Sequence, residues 1–181
     1  DRMGRDMSDC GHGGSLGLLL DECLLPPRSL LAHLNYFNEG DLARCAAAGH
    51  AVVHCPRSHS YFGHRTFAFD AIRDAGISVS LATDSLASCR NLSLFDEMRC
   101  FAEKHPSLKP AEVVDMVTRA PAAALGMAGD IGLIAPNACA DLIAVPDDGD
   151  PDPASVLLRH RGTVPFVMAG GNILRQERQP A

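Results

Sequence analysis

No stretch of this sequence approaches the roughly 20 consecutive apolar residues that a helix needs to cross a bilayer, so no membrane-spanning helix is expected. There is no basic surplus either. The 16 Lys and Arg against 22 Asp and Glu leave a formal net charge of −6, which argues against nucleic acid or an anionic membrane as partner, because phosphate recognition needs a basic footprint. Cys-x-x-Cys does not occur. The seven cysteines, Cys10, Cys23, Cys45, Cys55, Cys89, Cys100 and Cys139, are odd in number and widely spaced, which suits neither a disulfide scaffold nor a structural zinc site. Most have apolar neighbours and read as reduced core thiols, pointing to the cytoplasm. The opening Asp1-Arg2-Met3-Gly4 has no initiator Met and no apolar signal core, and reads as the continuation of a longer chain. A Walker phosphate loop, H-E-x-x-H, and the paired H-x-E and P-C-x-x-C of zinc cytidine deaminases are all missing.

What is present is a folding sequence. With 181 residues, 46% of them hydrophobic and 21% charged, the chain can bury a core of one domain or a little more. After a Gly-rich stretch at 8–15, a short helix over 16–25 runs into Pro26-Pro27. Then the pattern alternates. Leu30–Leu34 reads as a strand, and Asn38 as the cap of a helix that Gly49 ends. Ala51–His54 reads as a second strand, Pro56–His64 as a polar loop, and Phe67–Ala75 as a helix closed by Gly76. Ile77–Ala82 is a third strand, followed by a helix carrying Leu94, Phe95, Met98 and Phe101 on one face. Strands and helices in this alternation predict parallel βα units. Beyond His105 come a helix begun by Pro110 and another through Ala122–Leu125. From Gly126 onward the text reads as β: Ile131–Ile134, Asp141–Val145, Val164–Met168 and Asn172–Leu174, with the acidic run Asp147–Asp152 as a solvated loop.

Three of the expected strands end on a residue able to do chemistry: His33, His54 and Asp84. In parallel βα folds the C-terminal strand ends face the active site. Taken singly, each has a plain structural alternative: a hydrogen-bonded histidine, or an aspartate capping a helix. A competing motif is Gly13-Gly14-Ser15-Leu16-Gly17, which matches the G-x-S-x-G nucleophile elbow, with Asp84 and His105 or His160 in triad order. The elbow requires a strand leading into it, and Asp9-Cys10-Gly11-His12 is polar and flexible. A serine hydrolase using Ser15 is therefore disfavoured.

The ordered series Leu31-Ala32-His33, Val53-His54-Cys55-Pro56-Arg57-Ser58, Leu81-Ala82-Thr83-Asp84-Ser85 and Asn91-Leu92-Ser93-Leu94-Phe95-Asp96-Glu97-Met98-Arg99 resembles the C-terminal half of an amidohydrolase-superfamily enzyme. The resemblance is to the chlorohydrolase and aminohydrolase branch, which holds guanine, adenosylhomocysteine-type and aminofutalosine deaminases. The segment Gly132-Leu133-Ile134-Ala135-Pro136-Asn137-Ala138-Cys139-Ala140-Asp141-Leu142-Ile143 is similar to that family's closing signature, with Asn137 where Gly is usual. The resemblance implies an α/β fold: a partial (β/α)8 barrel, about strands six to eight, over residues 1–125, and a small β-sandwich portion over 126–181. A whole barrel takes about 250 residues. It implies one divalent metal, Zn2+ or alternatively Fe2+. It also implies a small heterocyclic substrate such as an aminopurine or its nucleoside, and leaves self-association of the full-length protein open. On this resemblance Asp84 is metal ligand and catalytic base, and His33 holds the attacking water. Arg57, Ser58 and His59 lie toward substrate, with Tyr61, Phe62 and His64 at the mouth. The H-x-H pair and the fifth-strand His with its nearby Glu have no counterpart here, so this piece alone is expected to be inactive. A non-catalytic homologue or binding module that kept the fold and lost the metal is the reading from another class.

Overall fold

The computed structural model describes residues 14–177. Helix α1 (Ser15–Asp21) leads to strand β1 (Leu30–Ala32), α2 (Asp41–Ala47), β2 (Ala51–His54), α3 (Pro56–Phe62), α4 (Phe69–Asp74) and β3 (Val79–Leu81). The three strands form one parallel sheet in the order β1-β2-β3, with Ala32 opposite Val53 and His54 opposite Leu81. Parallel neighbours need a crossover between them; α2 supplies one, and α3 with α4 the other. Central β2 is buried except at Val53, with Val52 fully buried, and β3 is buried along its length.

Helix α5 (Leu94–Lys104) covers this sheet. Ser93 caps it by accepting the Asp96 amide at 3.3 Å, and Met98 and Phe101 fall on the buried face. Phe69 and Ile72 of α4 join the same core, as does Val113 of α6 (Pro110–Asp115). In α6, Pro110 takes the first turn and Glu112 accepts the Lys109 amide at 2.8 Å, so the start of the helix is satisfied by its own sequence. The carbonyl of Met116, just past α6, accepts the Leu81 amide at 2.9 Å and so occupies a donor on the outer side of β3.

After α7 (Arg119–Ala124) come β4 (Leu142–Ala144), α8 (Pro153–Arg159), β5 (Phe166–Ala169) and β6 (Asn172–Gln176). The last three strands form an antiparallel sheet in the order β4-β5-β6, with an irregularity between Val167 and Met168.

Three expectations need correcting. The stretch 56–64 is not a loop but α3, begun by Pro56 and closed by Gly63 in the left-handed conformation; Pro at the start and Gly at the end are helix punctuation. Residues 131–134 do not form a strand: only an isolated bridge joins Ala128 to Ile131, Gly129 and Gly132 turn the chain at positive φ, and Ile134 is 89% exposed. Helix α2 is capped at Gly40 and not by the Asn38 side chain; instead the Asn38 amide donates to Asp41 at 2.8 Å. The Gly-rich stretch before Gly14 lies outside the described residues.

Candidate active site

Because β1, β2 and β3 run the same way, their C-terminal ends share one edge of the sheet. The His33 amide donates to the Val53 carbonyl at 2.8 Å, continuing the ladder one residue past β1, and the Ala82 amide donates to the His54 carbonyl at 2.9 Å. His33 and Asp84 therefore emerge on either side of β2, at strand ends about 10 Å apart from the usual strand spacing. Both break the backbone rule for L-residues: His33 has φ 68° and Asp84 φ 60°. The Leu34 amide donates to the Ala32 carbonyl at 2.9 Å, so His33 is the middle of a three-residue turn of the rare left-handed kind. Strain of this sort costs free energy and persists where the surroundings impose it, commonly at functional sites.

The Asp84 carboxylate is asymmetric. Ser58 Oγ donates to Oδ2 at 2.5 Å, and Ser88 Oγ lies 3.4 Å from the same oxygen. Among the described residues no hydrogen bond reaches Oδ1. Asp84 does not cap a helix: the next helix, α5, starts at Leu94 under its own cap, Ser93.

Of the residues expected toward substrate, Ser58 is 1% exposed and its hydroxyl is given to Asp84. Arg57 is also committed inward, so its contacts do not favour the expected place against substrate. Its amide donates to Glu97 Oε2 at 3.0 Å and its Nε to Glu97 Oε1 at 2.7 Å. Its Nη1 donates to Asn91 Oδ1 at 2.9 Å and its Nη2 to the Asn91 carbonyl at 2.7 Å. Burial works against the guanidinium charge, yet the hydrogen bond and charge of Glu97 outweigh it and hold Arg57 above its usual range. His59 is buried, with Nδ1 3.0 Å from Asn35 Oδ1. Tyr61 and Phe62 are exposed, and His64 Nδ1 lies 3.3 Å from the Tyr36 hydroxyl.

His54 shares the strand-end position but not the accessibility. It is 2% exposed and stacked on Phe67, with ring centroids 3.7 Å apart. Burial first, then charge repulsion from His59 and Lys104, push it down to about 3, so it is neutral in the fold. Burial and the nearby carboxylates of Asp84 and Glu97 push the Cys55 thiol up to about 12, which leaves little thiolate at neutral pH.

Glu97 is the residue that sequence reasoning passed over. It is 0% exposed and its carboxylate holds Arg57. The signal was available: position 97 is three past Leu94 and four before Phe101, so a charge falls on the apolar face of α5.

Among the described residues no group of three or more His, Cys, Asp or Glu is arranged to hold a metal ion. Asp84 nevertheless fits as one ligand, since a carboxylate oxygen that has no donor among the described residues, fixed by hydroxyls on its partner oxygen, is what a hard or borderline cation takes. A cavity of about 600 Å³ lies elsewhere, among Leu94, Met98, Val114, Leu133, Ile143 and Val164, and includes neither His33 nor Asp84.

The chain is similar to known proteins along most of its length. It is 32% identical over 170 residues to a 5-methylthioadenosine/S-adenosylhomocysteine deaminase of Haloquadratum walsbyi, covering 86% of this chain and 38% of the relative. It is 37% identical over 152 residues to a 5′-deoxyadenosine deaminase of Methanoregula boonei, covering 78% and 34%. The chain thus spans about a third of the length of the curated relatives it matches. Among solved structures, a zinc-bound adenosine deaminase of Xanthomonas campestris superposes with a TM-score of 0.81 at 27% identity, over 93% of this chain and 42% of that one. A Helicobacter pylori aminofutalosine deaminase in complex with methylthio-coformycin superposes with a TM-score of 0.74 at 26% identity, over 89% and 40%. The model of the amidohydrolase family matches residues 7–174, and with strand ends, turn and carboxylate in that arrangement the chain belongs to the amidohydrolase family.

Proposed function

We propose that this chain is the C-terminal portion of a metal-dependent aminohydrolase that removes the amino group from an adenosine-type nucleoside. In this reading β1, β2 and β3 are the sixth to eighth strands of a (β/α)8 barrel, residues 1–125 belong to the barrel and 126–181 to a β-sandwich portion. The observation that carries the proposal is the Asp84 carboxylate, held on one oxygen by Ser58 and Ser88 and, among the described residues, open on the other, on a strained turn at a parallel strand end. The named activities of the relatives supply the substrate class. The reduced, buried Cys45, Cys55 and Cys89 support a cytoplasmic setting.

Asp84 Oδ1 would be one ligand of the cation, with the others supplied by sequence beyond this chain. A divalent cation there, Zn2+ foremost, supplies Lewis-acid activation of water at neutral pH. Asp84 Oδ1 takes the proton from the attacking water, whose oxygen bonds to the ring carbon bearing the amine as the electron pair of the ring C=N bond moves onto the ring nitrogen. His33, across β2, holds that water by hydrogen bond. A general acid beyond this chain would protonate the leaving nitrogen, and the pair on the ring nitrogen re-forms the C=N bond as ammonia departs. The inward contacts of Arg57, Ser58 and His59 favour shaping the pocket wall over gripping substrate. Ser15 is exposed at the first position of α1, with no histidine hydrogen-bonded to it among the described residues, which weighs further against the serine-hydrolase reading.

The test is to purify the full-length protein, measure its metal content, and follow ammonia release from 5′-methylthioadenosine, S-adenosylhomocysteine and 5′-deoxyadenosine, with a chlorotriazine as the alternative leaving group. Stoichiometric metal with turnover of the nucleosides is expected. Folded protein without metal or turnover would decide for a binding module.

A further inference from the structure

The amide of Arg57 is among the first donors of α3, a helix whose own cap, Cys55, offers no side-chain hydrogen bond. Glu97 supplies the missing acceptor from α5, taking that amide on Oε2 and the Arg57 Nε on Oε1. A carboxylate at 0% exposure is costly to keep unless both oxygens are matched, so this pair fixes α3 against α5 in one arrangement. The same guanidinium reaches Asn91 through Nη1 and Nη2, at 2.9 and 2.7 Å, which pins the far end of the loop that leaves Asp84. The next residue along α3 is Ser58, whose hydroxyl is spent on Asp84 Oδ2. Ser88, from the loop itself, points to that same oxygen.

We propose that Glu97, acting through Arg57 and Ser58, is a positioning residue that sets the rotation of the Asp84 carboxylate, so that Oδ2 is held by the protein and Oδ1 alone is offered to the reaction. Arg57 and Ser58 then work behind the carboxylate and not on substrate. A planar carboxylate free to rotate about its last bond would sample torsions at which neither oxygen faces the cation, and a ligand set built for one geometry would be met only part of the time. Arg57 is needed as arginine, since a lysine has one point of charge and no fork to meet Glu97 and Asn91 together.

This inference rests on Asp84 being a ligand and base, so its test carries a measurement that does not need that reading. In the full-length protein, Ser58→Ala and Glu97→Gln are each expected to weaken Zn2+ retention against a chelator by about tenfold, as removal of outer partners of metal ligands does. Each should lower kcat by a similar factor with KM within about twofold, and the double variant should lose little more than either single one, because both act on one carboxylate. Ser93→Ala, which removes the α5 cap, should lower the melting temperature without moving Zn2+ affinity or the ratio of kcat to KM. In metal-free protein, the melting shifts of Ser58→Ala and Asp84→Asn should be clearly non-additive. Zn2+ affinity and kcat unchanged in folded Ser58→Ala and Glu97→Gln would overturn the inference. So would additive melting shifts in the metal-free cycle, whether or not the wild-type protein proves to be a deaminase.

Discussion

Replacing Asp84 by Asn separates chemistry from stability, and the structure sets the size of each effect. The left-handed backbone at φ 60° is as tolerable to Asn as to Asp, so the turn survives. No helix cap is lost, because α5 is capped by Ser93. The Ser58 hydrogen bond goes from a charged acceptor, worth about 1.5–3 kcal/mol, to a neutral one worth about 0.5–1.5. The net loss is about 1 kcal/mol, a fall in melting temperature of a few degrees at most. The chemical cost is far larger. Ser58 and Ser88 will claim the only carbonyl oxygen of Asn, which turns the amide NH2 to where Oδ1 stood. A donor at that point cannot ligate a cation or accept a proton. Turnover of 5′-methylthioadenosine by the full-length Asp84→Asn protein should fall by roughly 10²–10⁴-fold, the usual range for lost acid–base help, with metal retention reduced beside it. Steady-state ammonia release, metal analysis and a thermal melt on the same preparation make the comparison. Turnover within about threefold of wild type, with normal metal content, would refute the role given to this carboxylate.

His33→Asn should retain most of the metal and lose most of the turnover, because His33 is assigned to the water and not to the cation; metal content falling as steeply as kcat would reassign it as a ligand. Gly132→Ala should be markedly worse than Gly76→Ala, although both residues have nearly equal φ, 78° and 79°. A Cβ at 132 would sit 2.4 Å from the Thr118 carbonyl oxygen while one at 76 meets nothing, so the clash adds about 1–3 kcal/mol to a shared backbone cost of about 1–2; equal melting temperatures would dismiss the clash. His54 gives an acid limb to stability. It is held neutral down to about 3 in the fold, against 6.5 when free, so between those values the unfolded state binds a proton that the native state refuses. Stability should therefore fall as pH drops from about 6.5, by up to about 1.4 kcal/mol per unit from this residue. Denaturant melts across that range should show a shallower limb in His54→Leu, and an unchanged slope would show that His54 is not its source.

The parallel half of the fold was legible because its signals are dense. Val52, Val79 and Leu81 are β-favouring and buried, and Leu94, Met98 and Phe101 repeat at helical spacing. Helix α3 was missed because its seven residues are mostly polar and aromatic, with burial of Ser58 and His59 imposed by neighbours and not by pattern. The reverse error at 131–134 came from reading Ile131, Leu133 and Ile134 as a strand when Gly132 is held against Thr118 and no partner strand lies alongside among the described residues. For the site, sequence could name His33 and Asp84 by their place after strands, but not their left-handed backbones. Nor could it show that Arg57 faces Glu97, a partner 40 residues away.

The two left-handed turns set stability against chemistry. A glycine at position 33 or 84 would adopt φ near +60° without the steric cost, roughly 1–2 kcal/mol, that a side chain brings there. Selection or design guided by melting temperature alone would therefore be drawn toward His33→Gly, and toward Asp84→Gly wherever the lost Ser58 contact is made good by water. Each step could improve the fold while erasing a group to which the proposed mechanism gives a role. Any stabilised version of this protein should accordingly be screened for turnover at every round, with substitutions at the ends of β1 and β3 excluded from the library at the outset.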